Sequence, residues 1–534
     1  MLKSNYDAEL TPFDFLVFES FVPIDHYLRK LKAAIDFALL RPLVADCYSP
    51  DQGRGAIDPV FLLKLSLLQF HYDLSDDRVI QQAQVNLAFR FFLDLPAQAT
   101  LPEPSLLSQF RTRLGAERFA KVFQEVLRQA RAAGLVKDRL RLKDATHLIA
   151  NIAVPATLRL VAQTREQMLA AAESFAPDEV AKHRQTALNI RLTTSDLKDD
   201  ARLMARVEQL RELIEWGAAW QERLEFGAPP VSLEVYEAFV SSLSIARKVL
   251  GDREPEDKSK PKDKLLSLTD TDARRGKHGE FYDGYLLDVM MDADSDLICA
   301  IDVLPANADE AANAKSLIES EETAHGADIE SLSIDGIGFN GAVLKALSED
   351  QDGPQLRVYV PPKEQPPRHP ELFQSEDFKL NETNDELTCP NGERTRTRHR
   401  DGKNHGWVYH FKISQCVACP LRSKCLKSDK RSARQVSKND FQSQYDTAKQ
   451  RATTDEYKQI RKQHPGIERK LNELVRWHDG RQVRYRGRLR VKVQYLLLGI
   501  VVNCKRIVRL LTAAPAAQPT WHWYLHMSAS LLKP

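Results

Sequence analysis

The sequence predicts an α+β multidomain protein, with a helical N-terminal domain and a mixed-sheet core that a helical insertion and a cysteine-rich β-ribbon interrupt. Three observations predict it. Apolar residues recur at three- and four-residue spacing from about residue 56 to 134, the period of amphipathic helices. Strand-like segments and strand–helix–strand units crowd together after about residue 266, which points to a mixed sheet. Four of the seven cysteines fall in one stretch, Cys389 to Cys425.

In chain order, residues 1–136 form the expected helical domain. FLLKLSLLQFHYDLS, DDRVIQQAQVNLAFRFFLDL and SLLSQFRTRLGAERFAKVFQEVLRQARAAG are its helices, with start signals at Ser75-Asp76-Asp77 and Pro102 to Ser105. Short helices, tight turns and Arg111, Arg113 and Arg118 on one segment suit a helix-turn-helix DNA reader; a plain helical bundle is the competing reading. Texture changes at residue 139, and LRLKDATHLIANIAV reads as a strand or hairpin with Asp144 at its polar break, the first part of the core (137–156). Long amphipathic helices and the charged, proline-bearing linker GDREPEDKSKPKDK fill 157–264. The core resumes over 265–364: YDGYLLDVMMDA and LICAIDVLP as a hairpin, ADEAANAKSLIESEE as a helix, IESLSID as a strand ending on Asp335, GFNGAVLKALSE as a helix and QLRVYVPPK as a strand. The cysteine segment occupies 365–437, two further helices, a basic loop and a last apolar helix occupy 438–514, and 515–534 is a tail without clear signal.

The formal net charge of the 534 residues is +2, so any nucleic-acid contact must come from local clustering of charge. No signal peptide is visible in MLKSNYDAEL. The longest apolar run, in VQYLLLGIVVNCKRIVRLL, is too short to span a bilayer and reads as a core helix. Cys47, Cys299 and Cys504 stand alone in apolar surroundings and read as buried small hydrophobes.

Phosphodiester cleavage by paired Mg2+ ions needs hard oxygen ligands converging from rigid elements. Asp144 follows the alternating LRLK beside Ala145 and Thr146, and Asp335 terminates IESLSID, followed by Gly336 and Gly338. In PGIERKLNELVRWH, Ile467, Leu471 and Leu474 make an apolar stripe; Glu468 lies at its edge, whereas Glu473 lies round towards solvent and stays in reserve as the third acid. Around them runs IERKLNELVRWHDGRQVRYRGRLRVK, where Arg469, Arg476, His478, Arg481, Arg484, Tyr485 and Arg486, with Trp477, are candidate DNA contacts.

With KDATHLIAN, DARRGKHGEFYDGYLLDVMMD, SIDGIGFNG, VYVPPK, the cysteine segment and IERKLNELVRWHDGRQVRYRG in that order, the sequence resembles bacterial insertion-sequence transposases of the DDE class. The resemblance implies an InsH-like N-terminal domain and a ribonuclease H-like catalytic core, with Asp144, Asp335 and Glu468 as an acidic triad holding Mg2+ or Mn2+. It implies double-stranded DNA partners, both terminal inverted repeats and target, a homodimer assembled on DNA, no membrane, and a place in the bacterial cytoplasm at the nucleoid. Departures are Val475, where many members carry lysine with only Arg476 adjacent, Asp479-Gly480 after His478, and a loose fit at Phe339.

Cys416-x2-Cys419-x5-Cys425, with Cys389 upstream, offers four thiolates for structural Zn2+, with free buried thiols as the alternative. GWVYHFKIS reads as a strand, giving a two-stranded ribbon, and RTRTRHRDGK suggests that this module also touches DNA. The function expected is cleavage and strand transfer. A repeat-binding protein that no longer cuts, or a nuclease of the same fold without strand transfer, are the alternatives.

Overall fold

The computed structural model describes residues 10–49, 55–227, 229–253, 263–348, 354–363, 369–381, 385–403, 405–427 and 432–513. The tail from 515 and most of the charged linker lie outside the described residues.

Six helices open the chain: α1 (Pro12–Phe21), α2 (Tyr27–Ala34), α3 (Pro59–His71), α4 (Asp76–Val85), α5 (Leu87–Leu93) and α6 (Ser105–Ala132). Ser75 and Asn86 cap α4 and α5 through their side chains, so the long amphipathic segment 76–93 is two helices meeting at Asn86. Gly115, at φ +62°, kinks α6. Leu62, Leu65, Leu68 and Phe70 make α3 the buried centre of this group.

The strand β1 (Arg141–Ile149) follows, a single strand and not a hairpin. Four helices come next, α7 (Thr157–Ala172), α8 (Pro177–Thr193), α9 (Asp199–Glu225) and α10 (Leu233–Gly251), and they close on a separate core around Met168, Leu210, Phe239 and Leu243. The chain then returns as β2 (Arg274–His278), β3 (Glu280–Asp292) and β4 (Ile298–Pro305), continues through α11 (Ala314–His325), β5 (Ser331–Ile334) and α12 (Gly341–Ser348), and ends this sheet with β6 (Arg357–Tyr359). The strand order is β4–β3–β1–β5–β6, with β2 also pairing along β3. β1, β5 and β6 are parallel, and β3 runs antiparallel to both its neighbours β1 and β4. Gly284 is required where β3 leaves β1: a Cβ there would strike the Leu148 carbonyl.

The cysteine segment does not form a two-stranded ribbon. It builds two three-stranded sheets, β7 (Lys379–Asn381), β8 (Glu386–Thr388) and β9 (Arg394–Thr395), then β10 (Arg398–Asp401), β11 (Gly406–His410) and β12 (Gln435–Asn439). Two short helices, α13 (Ile413–Val417) and α14 (Arg422–Cys425), lie between the last two strands. The chain finishes with α15 (Gln442–Ala452), α16 (Asp455–Gln463), α17 (Pro465–Asn472), a π-helical turn Glu473–Trp477, and α18 (Arg488–Ala513). The side chain of Thr454 caps α16, which divides what the periodicity presents as one helix.

α18 joins the two halves. Gly499 lets it lie against both Phe123 of α6 and Ile301 of β4, where a side chain would collide with Ile301. Asn503, buried, donates to and accepts from the backbone of Ile298, both at 2.8 Å. One apolar core therefore runs from Leu28 in the first helices to Val508 in the last. No helix among the described residues is long and apolar enough to cross a membrane.

Beneath β1 lies a set of buried ions. Arg141 is fully buried and pairs with Asp292 (2.9 Å) on β3 and Glu321 (2.7 Å) on α11, both also fully buried, and with Asp138 (3.0 Å). Burial would raise the Glu321 carboxyl, but Arg141 and Arg131 pull it below its ordinary value. Glu321→Gln should therefore cost about 3–5 kcal/mol in urea denaturation, because two buried guanidiniums lose a shared counter-charge; a change near zero would show that water reaches the pair.

Candidate active site

β1 and β5 pair in parallel with Lys143 opposite Ile334, so the next residues are neighbours: Asp144, inside β1 and still paired with Val289 of β3 rather than at a strand end, and Asp335, just past the end of β5. Asp144 Oδ1 accepts from the Ala145 N–H at 2.8 Å. Asp335 caps a one-turn 3-10 helix, Gly336–Gly338, its Oδ1 accepting from Ile337 N–H at 3.0 Å. Glu468 projects from α17, whose Gly466 lies over Leu142 of β1 and Met291 of β3. Pro465 in the first turn starts that helix, and buried Ile467 and Leu471 seat it on the sheet.

The charges of these acids act on one another. Burial first, then Asp335 and Glu468, push the Asp144 carboxyl up to about 6. Glu310, just before α11, is raised to about 7 by burial, Asp335 and Asp144. Nothing in ADEAANAK marks Glu310 out beforehand. It is brought here by its own carbonyl, which accepts from Lys143 Nζ at 2.6 Å, while Lys143 pairs with fully buried Asp288 at 2.7 Å. Arg461 is the other residue that sequence reasoning misses. Its guanidinium donates to Ser333 Oγ (3.1 Å) and the Ile334 carbonyl (2.9 Å), and it is attracted by Asp335, Glu468 and Asp144. Nδ1 of His464 lies 3.1 Å from the same Ser333 hydroxyl, and burial beside Arg461 lowers this imidazole to about 4. Among the described residues no three His, Cys, Asp or Glu side chains stand as a ready-made metal cage.

Glu473 lies elsewhere. It pairs with Lys470 (2.9 Å) and Lys505 (3.4 Å), so it is neither turned to solvent nor grouped with the other acids. Val475 is buried in the core, and Phe339 rests on Tyr445.

The basic stretch divides in two. His478 is buried between the Phe70 carbonyl and Lys505. Arg481 binds Thr146 and the His147 carbonyl; Arg484 binds Asp73 and the Leu74 carbonyl; Tyr485 lies under Arg111. These four side chains bracket the loop to β1 and to the N-terminal helices. Arg469, Arg476 and Arg486 are exposed, Arg486 also donating to the Asn151 carbonyl, and Trp477 is 82% exposed. Arg111, Arg113 and Arg118 are likewise engaged within the chain, with Asp76, Tyr48 and Asp46.

Cys389, Cys416, Cys419 and Cys425 line one small cavity with Phe378, Phe411 and Arg434. Burial raises the Cys425 thiol, Arg434 opposes that, and the other three cysteines add to it. Cys299 and Cys504 are buried, whereas Cys47 is only partly so.

A carboxyl raised in the fold makes ionisation destabilising. For Asp144 the penalty is absent below its ordinary value of 3.8, grows as pH rises, and is complete above about 6. In the absence of divalent ions, Asp144→Asn should stabilise the chain by about 1–3 kcal/mol near pH 8 and by almost nothing near pH 4, read by chemical denaturation at each pH. Equal effects at both pH values would mean that Asp144 is not under this electrostatic load.

Two family models match the chain: a transposase domain (DUF772) over residues 16–113, and a transposase DDE domain over 388–508. The first covers the helices from α1 into α6; the second covers the cysteine segment and the helices through Glu468, while Asp144 and Asp335 lie outside both. No curated protein matches, and no solved structure matches. With a transposase domain towards one end and a transposase DDE domain towards the other, this chain is similar to DDE transposases over those two regions.

Proposed function

We propose that this transposase cuts DNA and joins the freed 3′ ends to a target at Asp144, Asp335 and Glu468, on a ribonuclease H-like core that holds two Mg2+ or Mn2+ ions. The observation that carries the reading is the parallel β1–β5 register, which makes Asp144 in the middle of β1 a neighbour of Asp335 at the end of β5, with Glu468 close enough to act on Asp144. The strand order, with β3 antiparallel to its neighbours, supports the ribonuclease H-like assignment.

The donor set fits the ions. It is all carboxylate oxygen, and its mutual repulsion is the load that divalent cations relieve. When bound, the ions supply Lewis acidity for an in-line displacement at phosphorus. The chain's own residues do the positioning. Asp335 is held by its turn, Glu468 by a helix seated on the sheet, and Arg461 ties the end of β5 to the helix preceding α17. Arg469, Arg476 and Arg486 are placed to meet phosphates.

The finer partition is part of the same proposal. Residues 1–136 read terminal inverted repeats, 137–156, 265–364 and 438–514 form the core, and two copies hold two DNA ends in the bacterial cytoplasm. Asp335→Asn and Glu468→Gln should each lower Mg2+-dependent cleavage of a duplex carrying the element's end by about 10⁴-fold, with end binding nearly unchanged. Loss of binding together with cleavage would make the residue structural. Cleavage surviving in Glu468→Gln would remove it from the triad.

Four thiols around one cavity fit tetrahedral zinc in chemistry and number. The purified chain should carry one zinc per molecule by elemental analysis, and Cys419→Ser should lose it and melt at a lower temperature. A metal-free wild type would leave the segment held by its apolar core alone.

A further inference from the structure

The helical insertion α7–α10 gathers several arginines from three helices into one place. Three of its acids are engaged within it: Glu179 accepts from the indoles of Trp216 and Trp220, and Glu166 and Glu173 both pair with Arg184. Four of its arginines gather instead with little counter-charge. Arg165 on α7, Arg191 on α8 and Arg202 and Arg206 on α9 approach one another, and their charges repel in the chain Arg165–Arg206–Arg202 and Arg206–Arg191. Arg202 has one exposed partner, Asp199 at 3.2 Å. Arg165 donates only to the neutral Gln209, Oε1 at 3.0 Å, while feeling some attraction from Glu166.

Hydrogen bonding tells the same story independently of charge. Gln209 is only 4% exposed, and its Nε2 is buried with no acceptor among the described residues. The Nε atoms of Arg165 and Arg206 are buried and unmatched in the same way. Three buried N–H donors from two helices thus lack an acceptor beside guanidiniums that lack counter-charge. A buried donor left unmatched costs about 1–3 kcal/mol. Water can satisfy such a donor, but it cannot neutralise the repelling cations. An anion with several acceptor oxygens does both.

We propose that the insertion is a DNA-binding unit in which Arg165, Arg191, Arg206 and the Gln209 amide, with Arg202 beside them, grip a phosphodiester of the DNA backbone. Guanidinium forks and an amide N–H suit the oxygens of a phosphate. The placement also serves a transposase, because α7 follows directly from the strand that carries Asp144. The contact is to backbone, so it adds affinity without reading sequence. It rests on the chain's being a transposase, not on the acid assignment.

The test uses the full-length chain and the double variant Arg165→Gln/Arg206→Gln. Binding of a random-sequence duplex is followed by fluorescence anisotropy across a salt series, with melting curves taken with and without inorganic phosphate. Losing this phosphate contact should reduce the slope of log affinity against log salt by about 1 and weaken binding severalfold at moderate salt. The melting temperature should hold or rise, since repulsion is removed. A folded variant with unchanged slope and affinity overturns the proposal. So does phosphate protecting the wild type alone while duplex binding stays the same, which would make this a free-anion site. A lower melting temperature with unchanged slope would make the arginines structural and overturn it too. Wild-type protein that binds duplex but does not cut it bears on Asp144, Asp335 and Glu468 and leaves this comparison readable.

Discussion

Everything about the site follows from the way β1 is fixed, and β1 is fixed by a buried cation. Arg141 cannot sit in a dry interior without counter-charge, and Asp292 from β3 and Glu321 from α11 supply it. A buried pair of this kind adds little net stability, because desolvation offsets most of the attraction, but it penalises any other arrangement heavily. Slipping β1 by one residue against β3 would turn Arg141 and Lys143 to the opposite face of the sheet and separate both from their acids. The register held this way decides which residue of β1 stands opposite the end of β5. It therefore decides that Asp144 meets Asp335.

The same strand carries opposite loads on its two faces. Arg141 and Lys143 point to the side where Asp292, Glu321 and Asp288 neutralise them. Asp144, one step out of phase, points the other way, where repulsion from Asp335 and Glu468 outweighs the attraction of Lys143. One face is electrostatically closed by the protein. The other is left open, and Arg461 alone cannot balance Asp144, Asp335, Glu468 and Glu310. A chain that places buried ion pairs on one side of a strand and withholds them on the other leaves its carboxylates repelling one another there, the load that the proposed cations relieve.

Much of this was legible in the sequence where a residue's role is local. Helices with apolar periodicity and side-chain caps, and the strand before Asp335, follow from spacing alone, whereas the same spacing turned Glu473 to solvent and missed its pairing with Lys470 and Lys505. What was not legible is long-range. IERKLNELVRWHDGRQVRYRG looks like one basic surface, yet His478, Arg481, Arg484 and Tyr485 face inward to groups some 335 to 410 residues away in the chain. Arginine density measures charge, and only the fold says which forks are already occupied. Arg461 and Glu310 were invisible for the same reason, each brought to the acids by backbone contacts that no local pattern encodes. The four cysteines announced themselves, but the two three-stranded sheets around them depend on pairings such as Gln435 with His410, made across the segment.

Those inward-facing arginines also account for how the N-terminal helices reach the chemistry. Arg484 holds the turn after α3 through Asp73 and Leu74, Arg111 of α6 covers Tyr485, and Arg481, three residues earlier on the same loop, binds Thr146 and His147 of β1. The loop is thus a strut between the helices and the strand of Asp144. α18, leaving the same loop, packs against α6 and β4 and keeps the strut in place. The two regions that match transposase families are far apart in sequence but share one apolar core. Arg484 and Arg481 thus tie the N-terminal helices to β1 two and three residues beyond Asp144.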